Sequence, residues 1–134
     1  MVLHSLIHLD KRVELYKKIK ASFPDQIPII VERAPGADAP NIRKKKFLSP
    51  PDITIETFLE EVREQIEFDS SEKEVIDFLF DTPRGIIAPQ FCIIFYLIHF
   101  LFFLIAQIVG NSYETNKFTD GFLYVIYSKQ KVFG

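Results

Sequence analysis

Apolar and polar positions alternate in short runs, separated by proline, glycine and small polar residues. From Asp10 the period is helical: Asp10 is placed to cap the first turn, Leu15 and Ile19 recur one turn apart with lysines between them, and Pro24 ends the run. Ile27-Pro28-Ile29-Ile30-Val31-Glu32 is mostly β-branched, with proline confined to its start, where a missing N–H is tolerated, and predicts a strand. Residues 34–41, with Pro35, Gly36 and Pro40, form a turn or loop. Lys44-Lys45-Lys46-Phe47-Leu48-Ser49 returns as a second strand antiparallel to the first, stopped by Pro50 and Pro51. Thr54 and Thr57, with Glu56 in the first turn, start a second helix. Its apolar face is Phe58, Val62 and Ile66, while Glu60, Glu61, Glu64 and Gln65 face water or a partner. Asp69-Ser70-Ser71 breaks this helix, and Val75-Ile76-Asp77-Phe78-Leu79-Phe80 predicts a third strand closed by the turn residues Asp81-Thr82-Pro83-Arg84-Gly85. After a long connection and a polar stretch at 113–120 comes Gly121-Phe122-Leu123-Tyr124-Val125-Ile126-Tyr127-Ser128, aromatic and β-branched without charge. That is the composition of a strand buried on both faces of a sheet. The order predicts a small α+β domain with one mixed sheet, a late-arriving central strand and a helix covering one face.

Composition narrows the functional classes. A chain of 134 residues is one domain's worth, and 48% hydrophobic residues with a net charge of -2 point to neither a nucleic-acid partner nor a disordered tail. The charge is segregated: residues 11–20 and 43–46 are basic and 56–74 acidic, which suits docking with several partners. A lone cysteine, Cys92, leaves no internal disulfide and no cysteine-based zinc site. The segment 1–8 lacks the basic start, long apolar region and cleavage site of a secretory signal, so the expected location is the cytosol. The sequence offers no Ser/His/Asp set, phosphate-binding glycine loop or metal-spaced histidine pair, so the expectation is a protein that is not an enzyme and carries no cofactor or metal.

Four blocks carry a family resemblance. They are Phe23-Pro24-Asp25-Gln26-Ile27-Pro28-Ile29-Ile30-Val31-Glu32; Lys44-Lys45-Lys46-Phe47-Leu48-Ser49-Pro50-Pro51-Asp52-Ile53-Thr54; Asp120-Gly121-Phe122-Leu123-Tyr124-Val125 with Tyr127-Ser128; and the terminal Val132-Phe133-Gly134. In this order they resemble the autophagy ubiquitin-like modifiers, the family of autophagy-related protein 8 and the GABA-receptor-associated proteins. The resemblance implies a ubiquitin-like β-grasp fold at 23–134, preceded by a helical extension at 1–22. It implies activation of the carboxylate of Gly134, passage through thioesters on activating and conjugating enzymes, and an amide with phosphatidylethanolamine. A cysteine protease would reverse the conjugation, and two acyl chains would then anchor the protein to the autophagosome membrane. No processing is expected before activation, since Gly134 ends the sequence. The resemblance further implies recognition of short aromatic-x-x-aliphatic motifs of cargo receptors by addition to the edge of the second strand. Carried over by position, Leu15, Ile19, Pro28, Lys46, Leu48 and Phe122 line the aromatic pocket, and Phe47, Pro50, Ile53, Phe58 and Val62 the aliphatic one. This chain departs from the family's usual apolar residue at Glu61 and basic residue at Gln65, which predicts a narrower or more polar aliphatic pocket. Gln26 stands at a common arginine and Leu15 at an often acidic position.

One stretch fits none of this. Residues 86–113 carry no charge, and 91–107, Phe- and Ile-rich and including Cys92 and His99, approaches the length of a transmembrane helix. A single crossing would put the last strand across the bilayer from its sheet, so spanning and a ubiquitin-like fold exclude each other. Deleting 91–107 restores the family's length for this connection, with a short helix ending at Tyr113. Its Phe, Leu and Ile codons are pyrimidine-rich and Gln107 matches a CAG acceptor, as in a translated intron. The alternatives are a genuine insertion that folds back as an apolar helix and one that enters a membrane shallowly. An integral membrane protein and an unconjugated peptide-binding module are the competing functional classes.

Overall fold

The uncharged run near the C-terminus becomes the middle strand of a five-stranded sheet. The computed structural model describes residues 8–68, 76–87 and 108–129. Its strands are β1 (Ile27–Arg33), β2 (Lys46–Ser49), β3 (Ile76–Thr82), β4 (Gly85–Ile87) and β5 (Leu123–Lys129), in the spatial order β2-β1-β5-β3-β4. β5 runs parallel to β1, with Ile30 opposite Tyr124, and antiparallel to β3, with Val125 opposite Phe80. Leu123, Tyr124, Val125, Ile126 and Tyr127 are all buried, as a strand flanked on both edges and covered on both faces requires.

Among the described residues three helices accompany the sheet: α1 (Leu9–Ser22), α2 (Ile55–Glu64) and α3 (Val109–Asn116). The Thr54 hydroxyl caps α2 by accepting from the Thr57 N–H at 3.1 Å. Ile55, Phe58 and Val62 then face the sheet and join Ile29, Val31, Phe47, Phe78, Val125 and Tyr127 in the main core. The N-terminal N–H groups of α3 are taken up by the loop between β2 and α2: Val109 donates to the Ile53 carbonyl at 2.9 Å and Gly110 to that of Pro51 at 2.8 Å.

The structure differs from the sequence expectation in several places. α2 ends at Glu64, short of the break expected at Asp69, and Ile66 instead bridges to Ile42; the cap position of α1 is His8, so Asp10 stands inside the first turn rather than capping it; and the second strand starts at Lys46, not Lys44. Both faces of the sheet are covered, not one: Ile30, Phe122 and Tyr124 form a second buried cluster beneath Leu15, Tyr16 and Ile19 of α1. The third strand runs on through Asp81 and Thr82, because the turn closes over Pro83 and Arg84 alone. The Thr82 hydroxyl donates to the Gly85 carbonyl at 2.6 Å and accepts from the Arg84 N–H at 3.2 Å, and Gly85 takes a φ of 116°. Ile86 and Ile87 therefore lie in β4, paired with Asp81 and Phe80, rather than in a short helix. That helix, α3, continues past Tyr113 to Asn116. The apolar stretch at 91–107, with Cys92 and His99, lies outside the described residues, as do Val75 and Gly134. Among the described residues no helix is long and apolar enough to cross a membrane.

Gly121 is fixed by contact as well as by backbone angle. Its φ is 95°, and a Cβ there would lie 2.6 Å from Cδ2 of Tyr16. Gly121→Ala is expected to destabilise the fold by about 2–3 kcal/mol, combining the left-handed backbone cost with displacement of the Tyr16 ring. A denaturant titration showing less than half that loss would mean α1 shifts at no cost.

Candidate functional site

β2 is an edge strand, and its register decides which backbone groups are free. Val31 donates to the Lys45 carbonyl at 2.8 Å, which makes 31 and 45 a hydrogen-bonded pair. Ile29 with Phe47 and Ile27 with Ser49 follow at alternate positions. The N–H and C=O of Lys46 and Leu48 consequently point outward from the sheet. Pro28 faces Leu48 in the intervening position, and pairing with β5 begins only at Ile29, so its missing N–H leaves no ladder bond unmade.

The pleat sorts the side chains around this edge onto two faces. On the α1 face lie Pro28, Lys46, Leu48 and Phe122, with Leu15 and Ile19 packed against Phe122 from the helix. On the α2 face lie Phe47, Phe58, Val62 and the half-buried Ile53, with the Phe47 and Phe58 rings edge to face at 5.7 Å. The six residues assigned from sequence to an aromatic pocket thus share one face, and those assigned to an aliphatic pocket gather on the other, apart from Pro50, which follows the strand's end. Exposure is uneven: Lys46, Leu48 and Pro50 are exposed, Leu15, Ile19 and Ile53 half-buried, and Pro28, Phe47, Phe58, Val62 and Phe122 buried. The first two groups keep surface that an added peptide could cover, and the buried residues have almost none left. Residues three apart on an extended peptide project to opposite sides, so an aromatic-x-x-aliphatic spacing matches this two-faced edge.

Beneath the α1-face cluster lies a polar knot that sequence reasoning missed. Asp120, with no side-chain exposure, accepts from Arg12 Nη1 at 2.7 Å and from the Tyr124 hydroxyl at the same Oδ2, while its Oδ1 accepts from the Phe122 N–H at 2.9 Å. Nearby, the Tyr113 hydroxyl donates to the Gly121 carbonyl at 2.7 Å and lies 3.2 Å from the Tyr16 hydroxyl. Together these fix α1 and the turn leading into β5, which supply Leu15, Ile19 and Phe122. The available signal was an aspartate standing directly before an otherwise uncharged apolar strand.

Burial pushes the hydroxyls of Tyr113, Tyr124 and Tyr127 above the usual tyrosine range, with hydrogen bonding to Tyr16 and Asp120 adding to it at Tyr113 and Tyr124 respectively. Below the unfolded tyrosine pKa of about 10, neither state ionises there and these groups add no pH dependence. Above it the unfolded chain loses its protons first, so stability falls as pH rises, by about 1.4 kcal/mol per pH unit for each tyrosine still protonated in the fold. Urea titrations at about pH 9 and about pH 11 are expected to show this loss. Equal stabilities would contradict it.

An antiparallel and parallel mixed sheet with a late central strand, a helix across one face and a helical extension on the other defines the ubiquitin-like fold class. The structure overlays Plasmodium falciparum Atg8, solved in complex with a Plasmodium falciparum Atg3 peptide, with a TM-score of 0.69 over 97% of this chain and 99% of that one, at 24% identity. It overlays Trypanosoma brucei ATG8 with a TM-score of 0.67 over 100% and 99%, at 22% identity. Residues 11–83 match the family described as "Autophagy protein Atg8 ubiquitin like". The sequence is 39% identical over 126 residues to Autophagy-related protein 8 of Dictyostelium discoideum, covering 94% of this chain and 88% of that protein. Autophagy-related protein 8c of Arabidopsis thaliana is 36% identical over 126 residues, 94% and 89% of the two chains. The chain belongs to the Atg8 family of ubiquitin-like autophagy proteins.

Proposed function

We propose that this chain is a ubiquitin-like modifier of autophagy that is conjugated through Gly134 to phosphatidylethanolamine and docks short aromatic-x-x-aliphatic motifs of cargo receptors and adaptors. The observation that carries the docking half is the outward-facing backbone of Lys46 and Leu48, flanked by apolar residues on each face. Family membership supports the conjugation half, and the Atg3 peptide bound to the Plasmodium protein supports a conjugating enzyme as a partner. An activating enzyme and a deconjugating cysteine protease complete the cycle. The protein acts as a modifier and adaptor rather than as an enzyme, in the cytoplasm and, once lipidated, on the autophagosome membrane. Residues 1–22 serve as the helical extension of the ubiquitin-like domain at 23–134, within which 91–107 is an insertion.

Two measurements test the two halves. A synthetic aromatic-x-x-aliphatic peptide is expected to bind with a Kd of about 1 μM, and methylating the peptide nitrogens that pair with β2 is expected to abolish binding. Unchanged affinity would rule out strand addition. In a reconstituted conjugation reaction, Gly134→Ala is expected to leave no lipid adduct, because a side chain obstructs entry to an enclosed cysteine site. Adduct formation by the variant would remove Gly134 as the conjugated residue.

A further inference from the structure

Tyr16 stands on α1 between Leu15 and Ile19, and its ring fills the space that separates the helix from the turn before β5. A Cβ on Gly121 would fall 2.6 Å from its Cδ2 and 2.7 Å from its Cε2, so the ring rests directly on the glycine backbone. It also meets the Phe122 ring edge to face at 5.9 Å. At its far end the hydroxyl is bonded to α3. The Tyr113 hydroxyl has given its own proton to the Gly121 carbonyl at 2.7 Å, so at 3.2 Å it accepts the proton of Tyr16.

The polar attachments of α1 lie toward its two ends. Arg12 Nη1 donates to Asp120 at 2.7 Å, and in the last turn Lys20 Nζ donates to the carbonyls of Gln26 at 3.0 Å and Pro24 at 3.3 Å. No α1 residue is fully buried, and Leu15, Tyr16 and Ile19 are its residues packed on Ile30, Phe122 and Tyr124. Leu15 precedes Tyr16 by one position and Ile19 follows it by three, so the height at which Tyr16 holds the helix sets the height of both.

We propose that Tyr16 is a positioning residue that sets the anchor preference of the docking edge, by fixing the width of the aromatic pocket between α1 and the sheet. The proposal rests on the reading of β2 as a peptide-docking edge. On the sheet side Pro28 and Leu48 are held opposite each other by strand pairing, so the helix is the wall whose distance can change. With a smaller side chain at 16, Gly121 has nothing to put in the ring's place, and α1 settles toward the glycine to close the void. The narrowed pocket penalises the indole of tryptophan before the smaller ring of phenylalanine.

The test uses the full chain and two aromatic-x-x-aliphatic peptides that differ only in the anchor, tryptophan or phenylalanine, with urea stability measured alongside. Calorimetry on Tyr16→Ala is expected to show the tryptophan peptide weakened about ten-fold and the phenylalanine peptide about two-fold. Tyr16→Leu, a helix-favouring side chain of intermediate size, is expected to shift the ratio the same way by less, and it carries the test if Tyr16→Ala unfolds. Tyr16→Phe keeps the ring, loses only the bond to Tyr113, and is expected to keep the unaltered ratio. A tryptophan-to-phenylalanine ratio that stays constant in Tyr16→Ala and Tyr16→Leu makes Tyr16 a purely structural contact and overturns this inference, leaving strand addition standing. Failure of both peptides to bind the unaltered protein overturns the docking reading and this inference with it.

Discussion

Replacing Asp120 with alanine is expected to destabilise the protein by about 3–5 kcal/mol, the largest loss of any exchange near the α1 face. Its carboxylate has no side-chain exposure, and it accepts from three donors on three different residues, Arg12, Tyr124 and Phe122. Removing it takes the carboxylate charge from the Arg12 guanidinium, only 12% exposed, and the carboxylate acceptor from the Tyr124 hydroxyl in the cluster with Ile30 and Phe122. Removing one partner of a buried ion pair costs several times what the pair contributes, so the loss exceeds the strength of any one of the bonds. Asp120→Asn keeps an oxygen for part of the set and is expected to lose less. Urea unfolding of Arg12→Ala, Asp120→Ala and the double variant separates the pair from its surroundings: a coupling of about 1 kcal/mol or more is expected, since the double variant removes the guanidinium together with its carboxylate. Full additivity would show that the two groups act independently.

How much of this was legible in the sequence follows from whether the cause was local. β-branched runs, the Thr54 cap and the proline stops depend on neighbours a few residues away, and the start of α2 and the bodies of β1, β2 and α1 fall where those signals place them, whereas α2 ends at Glu64 because Ile66 turns to bridge with Ile42, a contact no local pattern shows. The central position of β5 was legible too, because only a strand covered on both faces dispenses with polar side chains over so long a run. β4 was not, because Ile86 and Ile87 are too few to show a period and the register depends on the Thr82 hydroxyl closing a tight turn. The face beneath α1 was hidden for another reason. Its partners, Arg12 with Asp120 and Tyr16 with Gly121, are about a hundred residues apart, and nothing in the local pattern of either segment announces the other. At the candidate site the family resemblance supplied the residue set as an expectation, and the structure adds which of those residues are exposed and which are buried.

That division separates two exchanges that a sequence reading treats alike. Phe58→Ala is expected to cost about 3–5 kcal/mol of stability, because Phe58 is 1% exposed, packs in the main core and loses its edge-to-face contact with Phe47. Leu48→Ala, at a position 38% exposed, is expected to cost under about 1 kcal/mol, since much of its surface is already in water. Peptide affinity moves the other way. Leu48 has surface left to bury when a peptide adds to β2, so its loss is expected to weaken binding about ten-fold with the fold intact. Phe58 has none, and any binding defect in its variant follows from a collapsed or repacked core and tracks the loss of stability. Measuring urea stability and peptide Kd on the same two variants distinguishes an exposed contact residue from a buried support. If Leu48→Ala loses stability as Phe58→Ala does while binding peptide normally, β2 is a structural edge and the docking surface lies elsewhere.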